Sequence, residues 1–178
     1  MKEEVILVNE RDEQVGVMEK LEAHQKGLLH RAFSIFIFNE QGEMLLQQRA
    51  ATKYHSAGKW SNACCSHPRP GEELPEAAKR RLKEELGIET QLEKVFEFIY
   101  KVRFENGLTE NEVDHVFAGK YNNDIKFNPA EVQNICFKSL QEIKESVRSN
   151  PHSYTEWFLL AFPKIENWRN QLAIDNRQ

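Results

Sequence analysis

The stretch 60–72 (WSNACCSHPRPGE) combines two thiols, an imidazole and a carboxylate with two prolines and a glycine. The prolines and the glycine favour a loop over a regular element. Cysteine, histidine and glutamate side chains are suited to metal coordination and to proton transfer. Loops held by a rigid scaffold often carry catalytic groups. We therefore expect Cys65 and His67 to belong to a site, provided that other parts of the chain supply their partners.

Candidate partners lie on both sides of this stretch. His24 and His30 precede it, in or beside a predicted loop. Glu110 and Glu112 follow it, two residues apart on a predicted strand, so their side chains leave the same face. Three imidazoles and two carboxylates would form a mixed nitrogen and oxygen site suited to a divalent ion. A simpler interpretation stays open, since histidines near loops and rows of acids are commonly solvent-exposed.

Two other features also allow a structural interpretation. Cys64 and Cys65 point in opposite directions if the backbone is extended, and Cys65 could be a small buried hydrophobe. In the helix predicted next, Arg81 and Glu85 are four residues apart and lie on one face. Such pairs are commonly exposed ion pairs worth ~0.3–0.5 kcal/mol.

Hydrophobic periodicity predicts strands mixed with well-separated helices. The predicted strands span residues 4–8, 15–18, 32–38, 43–48, 94–104, 109–121 and 132–137. The predicted helices span residues 74–86, 139 to about 147, and 157–162, the last two each opened by a capping box. Pro163 should break the chain before a final helix through Leu172. We expect residues 19–30 to form a short helix or an ordered loop. The pattern indicates an α/β or α+β layered domain with an N-terminal hairpin.

The composition is typical of a globular protein and argues against some classes of partner. The 178 residues are 40% hydrophobic and 29% charged, which is typical of one globular domain. The net charge of -4 argues against a nucleic-acid partner or an anionic membrane surface. Three cysteines, two of them adjacent, favour a reducing compartment, and neither a signal peptide nor a membrane span is apparent. We expect a cytoplasmic protein that is a monomer or a weak dimer.

In combination, these motifs resemble the type I isopentenyl-diphosphate isomerases, which belong to the Nudix superfamily. The resemblance is carried by 62–68 (NACCSHP), by Glu110-Asn111-Glu112, by the pair His24 and His30, and by 80–87 (RRLKEELG). It extends over residues 5–157, most of the chain.

The resemblance implies a Nudix-like α/β (α+β) fold, with mixed sheet layers flanked by helices. It implies a single domain over residues 1–178, in which the hairpin extension 1–31 carries two metal-binding histidines. The implied activity converts isopentenyl diphosphate into dimethylallyl diphosphate by adding one proton and removing another.

Site residues follow from the resemblance by position. Cys65 and Glu112 would form the catalytic acid/base pair, with Cys65 as a thiolate on one face of the alkene and Glu112 on the other. Which group acts as the acid stays open. The implied ligands of one divalent metal (Mn²⁺, Zn²⁺ or Mg²⁺) are His24, His30, His67, Glu110 and Glu112. Glu85 would bind a Mg²⁺ that bridges to the substrate diphosphate. The implied diphosphate-binding residues are Lys20, Arg49, Lys53 and Arg81, and the implied hydrocarbon-binding residues are Tyr100 and Trp157.

Two positions depart from the ordinary Nudix motif. Ser66 stands where that motif has its first glycine, and Arg81 stands where it has a glutamate. With a permanent cation in place of an acid, the helix is better suited to binding phosphate oxygens than to activating water. The departure favours an isomerase over a Nudix hydrolase of a nucleoside or other diphosphate. A non-catalytic, metal-stabilised binding module is a third possibility. It explains the lysines, arginines and tryptophan of the implied substrate site less well than an enzyme does.

The resemblance also constrains the hairpin at Asn106-Gly107. A two-residue turn there would pair Lys101 with Glu112 and send Tyr100 to the opposite face. Because the resemblance requires Tyr100 and Glu112 in one pocket, we expect a loop with an odd number of residues and a left-handed Gly107.

Overall fold

The computed structural model describes residues 2–53 and 55–175. Its strands are β1 (Glu4–Val8), β2 (Gln14–Glu19), β3 (His30–Phe38), β4 (Met44–Arg49), β5 (Trp60–Ser61), β6 (Cys64–Ser66), β7 (Leu92–Arg103), β8 (Thr109–Lys120) and β9 (Val132–Lys138). Its helices are α1 (Lys20–Lys26), α2 (Leu74–Leu86), α3 (Leu140–Ser149) and α4 (Glu156–Asp175), with a 3₁₀ turn at Pro151–Ser153. The α+β class expected from the sequence is confirmed.

A mixed sheet is built around β3, whose nearly continuous apolar run is typical of a strand covered on both faces. β8 runs parallel to β3 over its whole length. The other edge of β3 is contacted in turn by β1 at His30, by β6 at residues 33–35 and by β4 at Phe38. The thiol-bearing strand β6 and the acidic strand β8 therefore flank the same central strand.

Alternate residues of β3 enter two separate hydrophobic cores, as strand geometry requires. Ile35 and Ile37 pack with Leu82 of α2. Phe36 packs on the other face with Phe158 of α4, and α3 contributes to the same core. The sheet is thus held rigidly between α2 and α3/α4, which supports a site at its end.

The hairpin between β7 and β8 confirms the expected odd loop. Tyr100 is the partner of Glu112, and Arg103 is the partner of Thr109, which leaves the five residues 104–108 between the strands. Gly107 has a φ of 83°, in the left-handed region. Tyr100 and Glu112 therefore lie on the same face.

Three local predictions were wrong. The stretch 60–72 is not all loop, since β5 and β6 lie within it, and β6 pairs with the middle of β3. His30 begins β3 instead of lying in a loop. Ser153 lies in the 3₁₀ turn and does not cap a helix.

Pro163 does not interrupt the chain as expected, because α4 continues through it to Asp175. Proline inside a helix costs about 3 kcal/mol. Phe158 and Phe162 before the ring and Ile165 after it are all buried in the same core, and this packing offsets the lost hydrogen bond.

Cys64, Cys65 and Cys136 are all unpaired thiols. Among the described residues, no helix is both long enough and apolar enough to cross a bilayer.

The end of α2 generates a stability prediction. Gly87 has a φ of +65°, and a Cβ there would lie 2.9 Å from the Lys126 carbonyl oxygen. Gly87→Ala should lower the free energy of unfolding by about 1–3 kcal/mol, through left-handed strain and this clash, in urea denaturation.

Gly58→Ala is the matched control, since Gly58 has a φ of +72° but a Cβ there would have no atom of the described residues within 4 Å of it. Its loss of unfolding free energy should reflect only the cost of placing alanine in a left-handed conformation. Equal losses in the two variants would mean that the approach to Lys126 contributes nothing.

Candidate active site

One pocket at the end of the sheet gathers the residues singled out from the sequence. Twelve of the thirteen line it, namely Lys20, His24, Arg49, Lys53, Cys65, His67, Arg81, Glu85, Tyr100, Glu110, Glu112 and Trp157. The thirteenth, His30, lies next to it, with its ring centre 4.8 Å from that of His24 and 5.0 Å from that of His67.

Four potential metal ligands converge in this pocket. Single donor atoms of His24, His30, His67 and Glu112 all lie within 4.8 Å of one another. They come from α1, from the start of β3, from the residue after β6 and from β8. The Glu19 carboxylate caps α1 by accepting from the Leu21 and Glu22 amides, which fixes the helix that carries His24.

Backbone carbonyl groups orient two of these imidazoles. His24 Nδ1 donates to the Lys20 carbonyl at 2.7 Å, and His30 Nδ1 donates to the Leu28 carbonyl at 2.8 Å. This arrangement leaves Nε2 of each ring as the nitrogen available to a metal, as is usual for metal-binding histidines.

The electrostatics of the cluster fit a divalent cation. Burial lowers the pKa of His24, and it lowers that of His67 to about 4, so both rings are neutral. Burial alone would raise the pKa of Glu112, but contacts with His30 and His67 lower it well below its usual value. His30 Nε2 and His67 Nδ1 are buried and make no hydrogen bond within the described part of the chain. Neutral imidazoles beside a carboxylate are a suitable donor set for such an ion.

Glu110, the fifth predicted ligand, is not a member of this four-residue cluster. It shares the Tyr100 hydroxyl with Glu112, at 3.1 Å and 2.7 Å respectively. Burial and the Glu112 charge raise the pKa of Glu110 well above its usual value. The two carboxyl groups thus differ in protonation, as expected for buried acids that share one partner. The solvent-exposed interpretation of this acidic row is wrong.

The two adjacent thiols have separate environments. Cys64 is fully buried in the core beneath α2, whereas Cys65 lines the pocket. The Cys65 thiol donates to Asn62 Oδ1 at 3.1 Å and lies 3.4 Å from Ser34 Oγ. Burial and the nearby Asp114 carboxylate raise the pKa of Cys65. The side chain is therefore a neutral thiol in this structure, not the thiolate expected from the sequence.

The Arg81–Glu85 pair is largely buried, so its interpretation as an exposed ion pair is wrong. Arg81 Nη2 donates to Glu85 Oε1 at 2.5 Å, and Gln47 Nε2 donates to Glu85 Oε2 at 3.0 Å. Arg81 Nη2 also lies 3.7 Å from Glu131, whose carboxylate pairs with Lys53. Lys53 and Arg81, two of the four cations predicted to bind the diphosphate, are therefore already paired with carboxylates.

Four pocket residues were not predicted as site residues: Gln47, His55, Ser66 and Glu131. Gln47 follows Leu45 on one face of β4, so a polar residue on a buried face was the available signal. His55 stacks on Phe104, with ring centres 4.8 Å apart. His55 and Glu131 lie in irregular segments, where no periodicity marks a side chain as facing inward.

Comparison with known proteins agrees with this geometry. Residues 28–158 match the NUDIX domain family. The isopentenyl-diphosphate Delta-isomerase of Pectobacterium atrosepticum is 48% identical over 165 residues, covering 93% of this chain and 92% of the relative. Isopentenyl-diphosphate Delta-isomerase 1 of Aromatoleum aromaticum is 50% identical over 165 residues, covering 93% of each chain. The chain belongs to the isopentenyl-diphosphate Delta-isomerase family. The resemblance inferred from its motifs is confirmed.

Solved structures of other proteins share the fold of this chain. A Deinococcus radiodurans protein superposes with a TM-score of 0.69 at 19% identity, over 83% of this chain and 90% of that one. The MutT protein of Methanosarcina mazei Go1 gives a TM-score of 0.64 at 22% identity, over 80% and 94% of the two chains. At these identities the likeness concerns the fold alone.

The imidazole cluster generates a metal-binding prediction. His67→Ala should weaken Mn²⁺ or Zn²⁺ binding by about 10-fold or more, because it removes one of four converging donors. Isothermal titration calorimetry on chelator-treated protein measures this. Because burial lowers the pKa of His24 and His67, the affinity of the unaltered protein should hold as the pH falls past about 6.5, where an ordinary histidine is protonated.

His152→Ala is the control, since His152 is an exposed histidine in the 3₁₀ turn, outside the pocket. Equal metal affinity in the His67 and His152 variants would contradict the assignment of His67 as a ligand.

Proposed function

We propose that the protein converts isopentenyl diphosphate into dimethylallyl diphosphate, with Cys65 and Glu112 as the two proton-transfer groups. The names of its relatives support the substrate and the reaction. The observation that carries the two residue roles is that a thiol and a carboxylate line one pocket from strands on opposite edges of β3.

The reaction explains why two such groups are needed. Protonating an unactivated alkene produces a tertiary carbocation, so the acid must be well placed and water must be excluded. A second group must then remove a proton from a different carbon. Glu112 is 5% exposed, which meets the need for exclusion of water. Tyr100 donates to the Glu112 carboxylate and can hold or pass a proton at Oε2.

The aromatic residues of the pocket suit the hydrocarbon part of the substrate. Trp157 is buried, and its ring lies edge-on to His55 at 5.8 Å. An aromatic face stabilises a nearby cation by roughly 0.5–2 kcal/mol. That is small beside the cost of making a carbocation, so we assign Trp157 an assisting role.

The cations of the pocket suit the diphosphate. Lys20, Arg49, Lys53 and Arg81 all line the pocket, and Arg81 lies where a hydrolase motif has a carboxylate. Planar guanidinium groups bind phosphate oxygens in pairs. A diphosphate would replace Glu131 as the partner of Lys53 and Arg81.

The donor set also indicates where metal ions would bind. We propose that His24, His30, His67 and Glu112, which already converge, hold one divalent ion (Mn²⁺, Zn²⁺ or Mg²⁺), and that Glu110 would join them as a fifth ligand, since a nearby cation would lower its pKa. We also propose that Glu85 holds a Mg²⁺ shared with the diphosphate. When bound, such ions neutralise carboxylate and phosphate charge and fix both groups in place.

We further propose that residues 1–178 act as one domain, because α1 brings Lys20 and His24 into the same pocket as Trp157 of α4. A reducing cytoplasm would keep Cys65 a thiol. A monomer or weak dimer needs no partner residue in this pocket, and the net charge of -4 gives no reason for a nucleic-acid or membrane partner.

Loss of either proton-transfer group tests the proposal. Cys65→Ala and Glu112→Gln should each lower kcat by about 10²–10⁴-fold, because each removes a group that transfers a proton. Proton NMR of isopentenyl diphosphate incubated in D₂O with protein and Mg²⁺ would follow both product formation and deuterium incorporation.

Cys136→Ala is the control thiol variant, since Cys136 lies on β9 outside the pocket, and it should keep full activity. Near-normal isomerisation by Cys65→Ala or Glu112→Gln would refute the proposed roles. Release of phosphate or a monophosphate that does not depend on Cys65 would instead indicate a hydrolase.

Adjacent arginines on α2 test the diphosphate site. Arg81→Gln should raise the KM for isopentenyl diphosphate by about 10-fold or more, because it removes a charged hydrogen bond to phosphate. Steady-state kinetics measures this change, and urea denaturation corrects for any loss of stability.

Arg80→Gln is the matched control, because Arg80 pairs with Glu72 at 2.7 Å and does not line the pocket. Its KM should equal that of the unaltered protein. Equal KM values in the two arginine variants would remove Arg81 from the diphosphate site.

A further inference from the structure

A buried polar chain lies behind Cys65. Ser34 is 3% exposed and Asp114 is 1% exposed, and neither lines the pocket. Ser34 Oγ donates to Asp114 Oδ2 at 2.7 Å and lies 3.4 Å from Cys65 Sγ. The chain Asp114–Ser34–Cys65 thus connects the two sides of β3 to the sulfur.

Strand register builds this chain. Ser34 is the antiparallel partner of Cys65 on one edge of β3. On the other edge, β8 is parallel to β3 and pairs Ala32 with Asp114, so Asp114 is a diagonal neighbour of Ser34 on the same face. At this level of the sheet, the Ser34 side chain contacts both Asp114 of β8 and Cys65 of β6.

Packing does not require a carboxylate at this position. Asp114 Oδ2 accepts from Ser34, while Asp114 Oδ1 is buried without a hydrogen-bond partner in the described part of the chain. Burying a carboxyl group with so few hydrogen-bond partners is costly, and an apolar side chain would pack better in the core. The next residue along the same face, Val116, is apolar and packs with Phe36.

The hydroxyl of Ser34 and the side-chain amide of Asn62 determine how the Cys65 thiol is oriented. Ser34 has a single hydroxyl proton, and with this proton donated to Asp114 its oxygen faces the sulfur as a second acceptor for the one thiol proton, which Asn62 Oδ1 accepts at 3.1 Å. Asn62 Nδ2 donates to the Ile35 and Cys64 carbonyl groups, each at 3.0 Å, so Asn62 Oδ1 also faces the thiol as an acceptor. Ser34 and Asn62, the two polar neighbours of the sulfur, are therefore each held in position by hydrogen bonds to other groups.

We propose that Asp114 and Ser34 are positioning residues for Cys65, with Asp114 fixing the Ser34 hydroxyl and Ser34 fixing the orientation of the thiol in the pocket. This inference rests on the proposed role of Cys65 in proton transfer. Neither residue lines the pocket, so both act through the sulfur. A displacement of about 1 Å in a reacting group can cost a factor of about 100 in rate, which is why a costly buried pair is useful here.

Variants at Ser34 test the positioning role. Ser34→Ala should lower kcat by about 10- to 100-fold, because the thiol loses one of its two oriented acceptors. The KM for isopentenyl diphosphate should not change, because the diphosphate-binding cations are untouched. Ser34→Thr keeps the hydroxyl group and should restore most of the kcat. A change in KM with kcat unaltered would overturn the proposal.

Ser146→Ala is the matched control. The Ser146 hydroxyl accepts from the Tyr154 hydroxyl at 2.8 Å, so this variant also removes a side-chain hydrogen bond, but outside the pocket. Its kcat and KM should equal those of the unaltered protein.

A double-mutant cycle tests whether Asp114 acts through Ser34. Asp114→Asn should also lower kcat, and the double variant with Ser34→Ala should be no slower than Ser34→Ala alone, because both changes interrupt one chain. Effects that multiply in the double variant would overturn the series arrangement. The infrared S–H stretching band of Cys65, assigned by its loss in Cys65→Ala, should shift in both single variants and stay unchanged in Ser146→Ala.

The same experiments separate this inference from the proposed function. Full turnover by Cys65→Ala would overturn the role of Cys65 and this inference together. An inactive Cys65→Ala alongside normal kcat in Ser34→Ala and Asp114→Asn would overturn this inference alone. If Ser34→Ala does not fold, as judged by circular dichroism, Asp114→Asn decides, and an unchanged kcat with an unchanged S–H band would count against the proposal.

Discussion

The parallel pairing of β3 with β8 is the constraint on which the pocket depends. It places His30 beside Glu112, while the pairing of β8 with β7 places Tyr100 on the other side of the same carboxylate. A slip of one residue in either pairing would turn the acidic row of β8 toward the opposite core. The apolar residues of β3, divided between two cores, oppose such a slip, so the same packing that stabilises the sheet also holds the predicted metal ligands in place.

Burial of charge distinguishes this pocket from an ordinary cleft. Four cations and four carboxylates line it, and Lys53, Arg81, Glu85 and Glu131 are paired with one another. Paired buried charges contribute little to stability compared with apolar residues of similar size. Each pair holds its two groups in a defined orientation. Glu131, for example, occupies Lys53 and Arg81 in the absence of a diphosphate.

Local features could be predicted from the sequence, whereas features that depend on distant packing could not. The helix at 74–86 has the expected bounds, because proline, acidic residues and glycine mark its two ends. Pro163 remains within α4 because residues on both sides of it are buried, and no local pattern reveals that burial. The site was partly predictable for the same reason. Motif residues such as Cys65 could be assigned, but the roles of Gln47 and Glu131 depend on which side chains the tertiary fold brings beside them.

The pocket draws Lys20 from the first helix and Trp157 from the last, so almost the whole length of the chain separates two of its walls. Contacts of such long range form late in folding, because a large loop must close before they contribute. A partly folded chain would therefore contain the segment 60–72 and helix α2 as separate pieces, without an enclosed pocket. Catalytic competence should consequently appear together with completion of the fold, and a reactive carbocation would never be generated in a half-assembled, water-filled site.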